Sequence, residues 1–171
     1  MCGFAGLVLR EPNEEISQRF RALALKSLAR RGPDATGSAR FGAVELIHTR
    51  LSIIDLATGQ QPMADEDGAI AFNGEIYNHA DLHLPGVAYR THSDTEVLLK
   101  GMNQVGIDFL ARADGMFAFA HLDHRRRTLT LVRDPFGIKP VYYLSRKDVF
   151  AFSSTLPALM VFSDKRINRD G

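Results

Sequence analysis

The chain contains a single cysteine, and it is residue 2. Loss of Met1, which a small second side chain permits, would leave Cys2 with a free α-amino group beside its own thiol. An ordinary α-amino group titrates at roughly 7.7–8.0 and an ordinary thiol at about 8.5, so near pH 7.5 both groups are partly in their reactive forms. One residue would then supply nucleophile and base, with no histidine partner needed. Taken alone, the position fits equally well a small buried hydrophobe with no chemistry.

Other residues could complete such a site. Arg50 stands alone at the end of a strand-like run, and arginine suits the gripping of a carboxylate by two parallel hydrogen bonds; a surface ion pair is the alternative. Asn73 and Gly74 interrupt the strand pattern of "FNGEIYN", where both types are disfavoured. They read either as a type I′ hairpin turn or as an amide side chain and a glycine N–H able to hold an oxyanion. Glu75 would sit unpaired beside such a turn. Asp94 lies in the first turn of a helix, where it would complement the helix dipole or hold an ammonium group.

These residues need a scaffold. "CGFAGLVL" reads as a strand. "NEEISQRFRALALKSLARRG" reads as an amphipathic helix capped by Asn13, with Ile16, Phe20, Leu23, Ala24 and Leu28 on one stripe. "GPDATG" ends it, and strands are predicted at "AVELIHTRLSII" and "AIAFNGEIY". "SDTEVLLKGMNQVGIDFLARAD" reads as a second helix with a capping box of Ser93 and Glu96 and a buried face of Val97, Leu98, Met102, Val105 and Phe109. Four further strands follow: "GMFAFAHLD", "TLTLVRD", "VYYLSR" and "VFAFSS". Helices and mainly antiparallel strands come in blocks, which favours sheets between helical layers over a doubly wound nucleotide fold.

The 171 residues are 45% apolar and 24% charged with a net charge of +1, an ordinary globular composition for one domain. Neither a nucleic-acid nor a membrane surface is expected, and the basic run "DHRRRT" reads as a solvated hairpin turn. A lone cysteine forms no internal disulfide, so a reducing cytoplasm is expected. No apolar run approaches the roughly 20 residues that span a bilayer. The six histidines lack zinc-site spacing, so no metal is expected, and without a Gly-rich phosphate loop this segment alone is not expected to bind ATP. "RDPFGIKPVYY" reads as a structural turn between strands.

Taken together, "MCGFAG", "RRGPDATG", "RLSIIDLATGQQPM", "FNGEIYNH", "SDTEVLL", "DGMFAFA" and "RDPFGIKPVYY" resemble, in order and nearly end to end, the class II glutamine amidotransferases. The likeness is strongest to the glutaminase domain of glutamine-hydrolysing asparagine synthetases. The resemblance implies an α+β, N-terminal-nucleophile hydrolase fold, an αββα sandwich of two mainly antiparallel sheets between helices, with residues 1–171 as the glutaminase domain. It also implies roles. Cys2 would attack the side-chain amide of L-glutamine and form a γ-glutamyl thioester. Arg50 would bind the α-carboxylate, with Leu51, Ser52, Ile53 and Ile54 lining the same wall. Asn73 and Gly74 would stabilise the oxyanion, and Glu75 and Asp94 would receive the α-ammonium. Ammonia would pass to an ATP-dependent synthetase domain or partner, most directly for making asparagine from aspartate; a homodimer is compatible with the resemblance.

No SGG-x-DS pyrophosphatase motif occurs here, so ATP and magnesium are expected only in the synthetase portion. "SSTLPAL" departs from the acidic and basic pattern of relatives, which bears on the final acceptor and leaves sugars, peptides or antibiotic precursors open. Two other readings remain at this stage: a catalytically idle assembly or regulatory module, and an N-terminal-cysteine hydrolase of a different amide.

Overall fold

A computed structural model describes residues 2–52 and 58–162. Among the described residues, nine strands form two antiparallel sheets. The first sheet holds β1 (Gly3–Leu9), β2 (Ala35–Phe41), β3 (Val44–Arg50), β8 (Tyr142–Ser145) and β9 (Val149–Ser153) in the order β2-β3-β1-β9-β8. The second holds β4 (Met63–Ala64), β5 (Gly68–Ile76), β6 (Gly115–Asp123) and β7 (Thr128–Arg133) in the order β4-β5-β6-β7. Helix α1 (Glu14–Leu28) covers the first sheet and α2 (Asp94–Gln104) the second.

Strand alternation sends successive side chains to opposite faces, and the three apolar cores follow from it. Ala5, Leu7, Ile47 and Ala151 pack on Phe20, Ala24 and Leu28 of α1. Ile70, Phe72, Phe117 and Phe119 pack on Val97, Leu98 and Met102 of α2. The intervening positions meet between the sheets, with Phe4, Leu46 and Phe152 against Ala69, Ala71, Ala118 and Ala120. The four layers are therefore helix, sheet, sheet and helix, as expected. By the same parity, Cys2, His48, Arg50, Asn73 and Glu75 fall on the inner faces, at one end of the alanine-rich layer.

Several local expectations hold. The Asn13 side chain accepts the Ile16 N–H at 3.0 Å and caps α1, and "DHRRRT" is the β6–β7 turn. Others are corrected. Asn73 and Gly74 form no hairpin turn: they sit inside β5, opposite Ala118 and Phe117. The second helix stops at Gln104, because Gly106 has φ +82°, a left-handed backbone that ends α-helical geometry. A 3₁₀ segment, Gly106–Arg112, follows; Val105 is exposed, while Phe109 turns back and packs where Gly101 leaves room. The capping box also differs. Ser93 Oγ accepts the Thr95 N–H, but Glu96 reaches past it to accept the Arg90 and Thr91 N–H groups and the Thr91 hydroxyl. Strand β2 was not anticipated, because it is a polar edge strand with alternate half-buried and exposed residues.

Two histidines are buried in this scaffold. His48 Nε2 lies 2.9 Å from the Phe72 carbonyl, and His121 Nε2 lies 2.8 Å from Asn103 Oδ1. Burial pushes both imidazoles down to about 4. An unfolded histidine titrates near 6.5, so between about pH 6.5 and 4 the unfolded chain binds more protons than the folded one. Stability is then full above about 6.5 and falls with acidification by roughly 1.4 kcal/mol per pH unit for each histidine. Urea melts from pH 7 to 4.5 are expected to show this fall, and His121→Asn is expected to remove about half of its slope. An unchanged slope would exclude His121 as a source.

Candidate active site

The cleft at the open end of the inter-sheet layer is lined by Cys2, Arg50, Leu51, Asn73, Gly74 and Glu75, joined by Asp94 and Lys139. Cys2 extends β1 beyond the Gly3–Thr49 pair, so its neighbour along that register is Arg50. Its sulfur is held by the next residue of β3's exit: Leu51 N lies 3.4 Å and Leu51 O 3.5 Å from Sγ.

Much of this end is set by "RRGPD", which reads in the sequence as a helix break and a family motif without a stated role. Arg31 Nε donates to the Cys2 carbonyl at 3.0 Å. Burial pulls the Arg31 guanidinium below its ordinary value, and its Nη2 is buried with no hydrogen-bond partner. The Asp34 N–H donates to the Arg50 carbonyl at 3.0 Å, and Asp34 Oδ2 accepts the Ser52 N–H at 2.7 Å. Those two bonds fix how the chain leaves β3. Ile53 and Ile54, expected on the same wall, lie outside the described residues.

The facing wall is the edge of β5. Phe117, opposite Gly74, sends both of its backbone groups away from β5: its N–H donates to Asp134 Oδ2 at 3.3 Å and its carbonyl accepts the Asp134 N–H at 2.7 Å. In an antiparallel ladder this makes 74–117 a non-hydrogen-bonded pair, and Phe72 and Ile76 share that phase. The backbone groups of residues 72, 74 and 76 therefore point to the opposite edge, where β4 pairs only as far as Ile70. Side chains take over there. Gln61 Oε1 accepts the Phe72 N–H at 2.7 Å, and Asp94 Oδ2 accepts the Ile76 N–H at 3.1 Å. Between them the Gly74 N–H is turned to the cleft. The Asn73 side-chain Nδ2 is buried with no hydrogen-bond partner. Gly74 is required by a close approach: a Cβ there would lie 2.2 Å from the Met116 carbonyl oxygen.

Opposite charges line the cleft. Arg50 is buried on one side and Asp94 on the other. Burial raises the Asp94 carboxyl above the usual range, against the hydrogen bond from Ile76. A desolvated anion at this position suits an incoming ammonium. Glu75 is half-buried beside it.

Sequence reasoning missed Arg31, Asp34, Gln61 and Lys139. Gln61 also donates to Thr95 Oγ1 at 3.2 Å, joining the loop after residue 58 to both β5 and α2. Lys139 is buried in the cleft wall at the end of the Asp134 turn, a segment that reads from the sequence mainly as structure. A Gly-Pro-Asp turn beside two arginines was the available signal for the first pair. Among the described residues, no three His, Cys, Asp or Glu side chains converge to hold a metal.

The profile of the glutamine amidotransferase domain family matches residues 1–171. The chain belongs to that family. Relatives include an asparagine synthetase [glutamine-hydrolyzing] of Asparagus officinalis, 44% identical over 147 residues that cover 83% of this chain and 25% of that protein. Another, from Bacillus subtilis (strain 168), is 38% identical over 173 residues, covering 94% and 27%. The chain thus spans about a quarter of the length of these curated relatives. Among solved structures, an allosteric regulatory enzyme of purine biosynthesis superposes with a TM-score of 0.72 at 22% identity, over 94% of this chain and 43% of that one. The glutamine phosphoribosylpyrophosphate amidotransferase of B. subtilis gives 0.69 at 23%, with the same coverage. At that identity these two establish the amidotransferase fold alone.

If Asp94 is held as an anion at a cost, replacing it separates binding from stability. Asp94→Asn keeps an oxygen for the Ile76 N–H and removes the buried charge. Thermal melting is expected at or above the wild-type midpoint, while KM for a free amino-acid amide rises roughly 30-fold or more, the equivalent of about 2 kcal/mol. A variant with lower stability and unchanged KM would contradict this assignment.

Proposed function

We propose that this domain hydrolyses L-glutamine to glutamate and ammonia through a γ-glutamyl thioester on Cys2, for use by an ATP-dependent synthetase that makes asparagine from aspartate. The observation that carries the reading is Asn73 Nδ2, a buried donor with no partner, beside the outward Gly74 N–H and across the cleft from the sulfur. A buried donor left dry costs about 1–3 kcal/mol, which an oxyanion formed at that point offsets in the transition state alone.

The steps follow from the placement. Arg50 takes the substrate α-carboxylate, and Asp94 with Glu75 takes the α-ammonium. This lays the side-chain amide between Cys2 Sγ and the two donors. The α-amino group of Cys2, free once Met1 is removed, accepts the thiol proton as sulfur attacks the carbonyl carbon. The oxyanion is held by Asn73 Nδ2–H and Gly74 N–H. Its collapse expels the amide nitrogen, which leaves as ammonia with that proton. Water, deprotonated by the same amine, then cleaves the thioester, releases glutamate and restores the thiol. The hydrogen bond from Arg31 to the Cys2 carbonyl keeps this amine aimed. ATP and magnesium belong to the synthetase step, on a further domain or a partner protein. A cytoplasmic setting fits a free catalytic thiol.

Purified protein lacking Met1 is expected to release glutamate and ammonia from glutamine, and Cys2→Ala to lose that activity by several orders of magnitude. Asn73→Ala should cost about 10²–10³ in kcat. Equal rates for wild type and Cys2→Ala would refute the glutaminase reading. Asparagine formed from aspartate and glutamine, once the synthetase portion is supplied, tests the acceptor separately.

A further inference from the structure

His48 takes no part in the steps above, yet it is fully buried between the sheets and only two residues before Arg50. Its ring crosses from the first sheet to the second and ends 2.9 Å from the Phe72 carbonyl oxygen. A carbonyl only accepts, so the ring nitrogen there carries the proton and donates. This carbonyl lies on the same uncovered edge of β5 as the Gly74 N–H, in the residue that immediately precedes Asn73. The other backbone group of Phe72, its N–H, is held by Gln61. Phe72 is thus pinned at both polar atoms, by His48 from the first sheet and by Gln61 from the loop after residue 58.

We infer that His48 is a positioning residue for the oxyanion donors, tying the backbone before Asn73 and Gly74 to the strand that carries Arg50. The inference rests on the glutaminase reading for its kinetic consequence and on geometry alone for its structural one. Alanines on the second sheet's inner face make the crossing short enough for an imidazole. The bond fixes the separation between the carboxylate clamp and the point where negative charge develops. Donors displaced by a fraction of an ångström still admit the ground-state carbonyl but stabilise the tetrahedral oxyanion poorly. The loss therefore falls on kcat more than on KM. Burial keeps the ring neutral at neutral pH, so the imidazole adds no positive charge beside Arg50.

Two variants separate positioning from packing. His48→Leu fills much of the volume without a donor, and His48→Gln offers a side-chain N–H at similar reach. Relative to wild type, His48→Leu is expected to lower kcat for glutamine about tenfold or more, with KM changed less than about threefold. His48→Gln should recover most of kcat. Equal kcat losses in both variants, a loss in KM alone, or kcat within twofold of wild type for His48→Leu would overturn the inference. If wild type itself fails to hydrolyse glutamine, the glutaminase reading fails, and the bond is then judged by nitrogen-15 NMR of the imidazole. A single protonated Nε2 with a slowly exchanging proton supports it, and a rapidly exchanging or Nδ1-protonated ring overturns it.

Discussion

The structure turns on one edge of one strand. β4 is two residues long, so among the described residues no strand lies beside the backbone of β5 beyond Ile70 on that side. Buried backbone donors and acceptors are rarely left unmet. Here side chains from three distant parts of the chain meet them: Gln61 and His48 at Phe72, and Asp94 at Ile76. Two of the groups that complete the sheet, Gln61 and Asp94, also line the cleft. The Gly74 N–H that remains is where a substrate oxygen would complete the ladder, and the Asp134 bonds to Phe117 on the far edge hold the phase that aims it.

The second constraint is how closely the layers meet. Four alanines on the second sheet's inner face oppose Phe4, Leu46 and Phe152. Size is thus concentrated on one sheet, and polar side chains of either sheet can reach the other at the open end. Arg50 and Asp94 are both buried there, on opposite walls. A ligand with one cationic and one anionic pole matches both walls at once, whereas a simple amine or carboxylate matches only one.

Much of this was legible in the sequence where local chemistry decides structure. Asn13 announced its cap, and the apolar runs at β1 and at Gly115–Asp123 their strands. Cys2, Arg50, Asn73, Gly74, Glu75 and Asp94 do line one cleft. The failures have physical causes. Helical spacing continues through Phe109, so only the backbone angle at Gly106 reveals the break. β2 buries little and has no apolar signature. Gly74 was read for its free N–H, whereas the close approach of β6 excludes a side chain there. Arg31, Gln61 and His48 matter through partners far away in sequence, and no local pattern marks a polar residue such as Lys139 that folding will bury.

β1, the strand that Cys2 extends, is the middle strand of its sheet, flanked by β3 and β9. Chain ends commonly fray at little cost, but this one runs straight into two ladders, with register partners from Gly3 on one side and Ala5 on the other. Peeling β1 away means dismantling the centre of the five-stranded sheet, so its opening free energy approaches that of global unfolding. The backbone that carries Cys2 is therefore as durable as the sheet itself, and conformers that swing this strand out of the cleft lie high on the landscape of the folded chain.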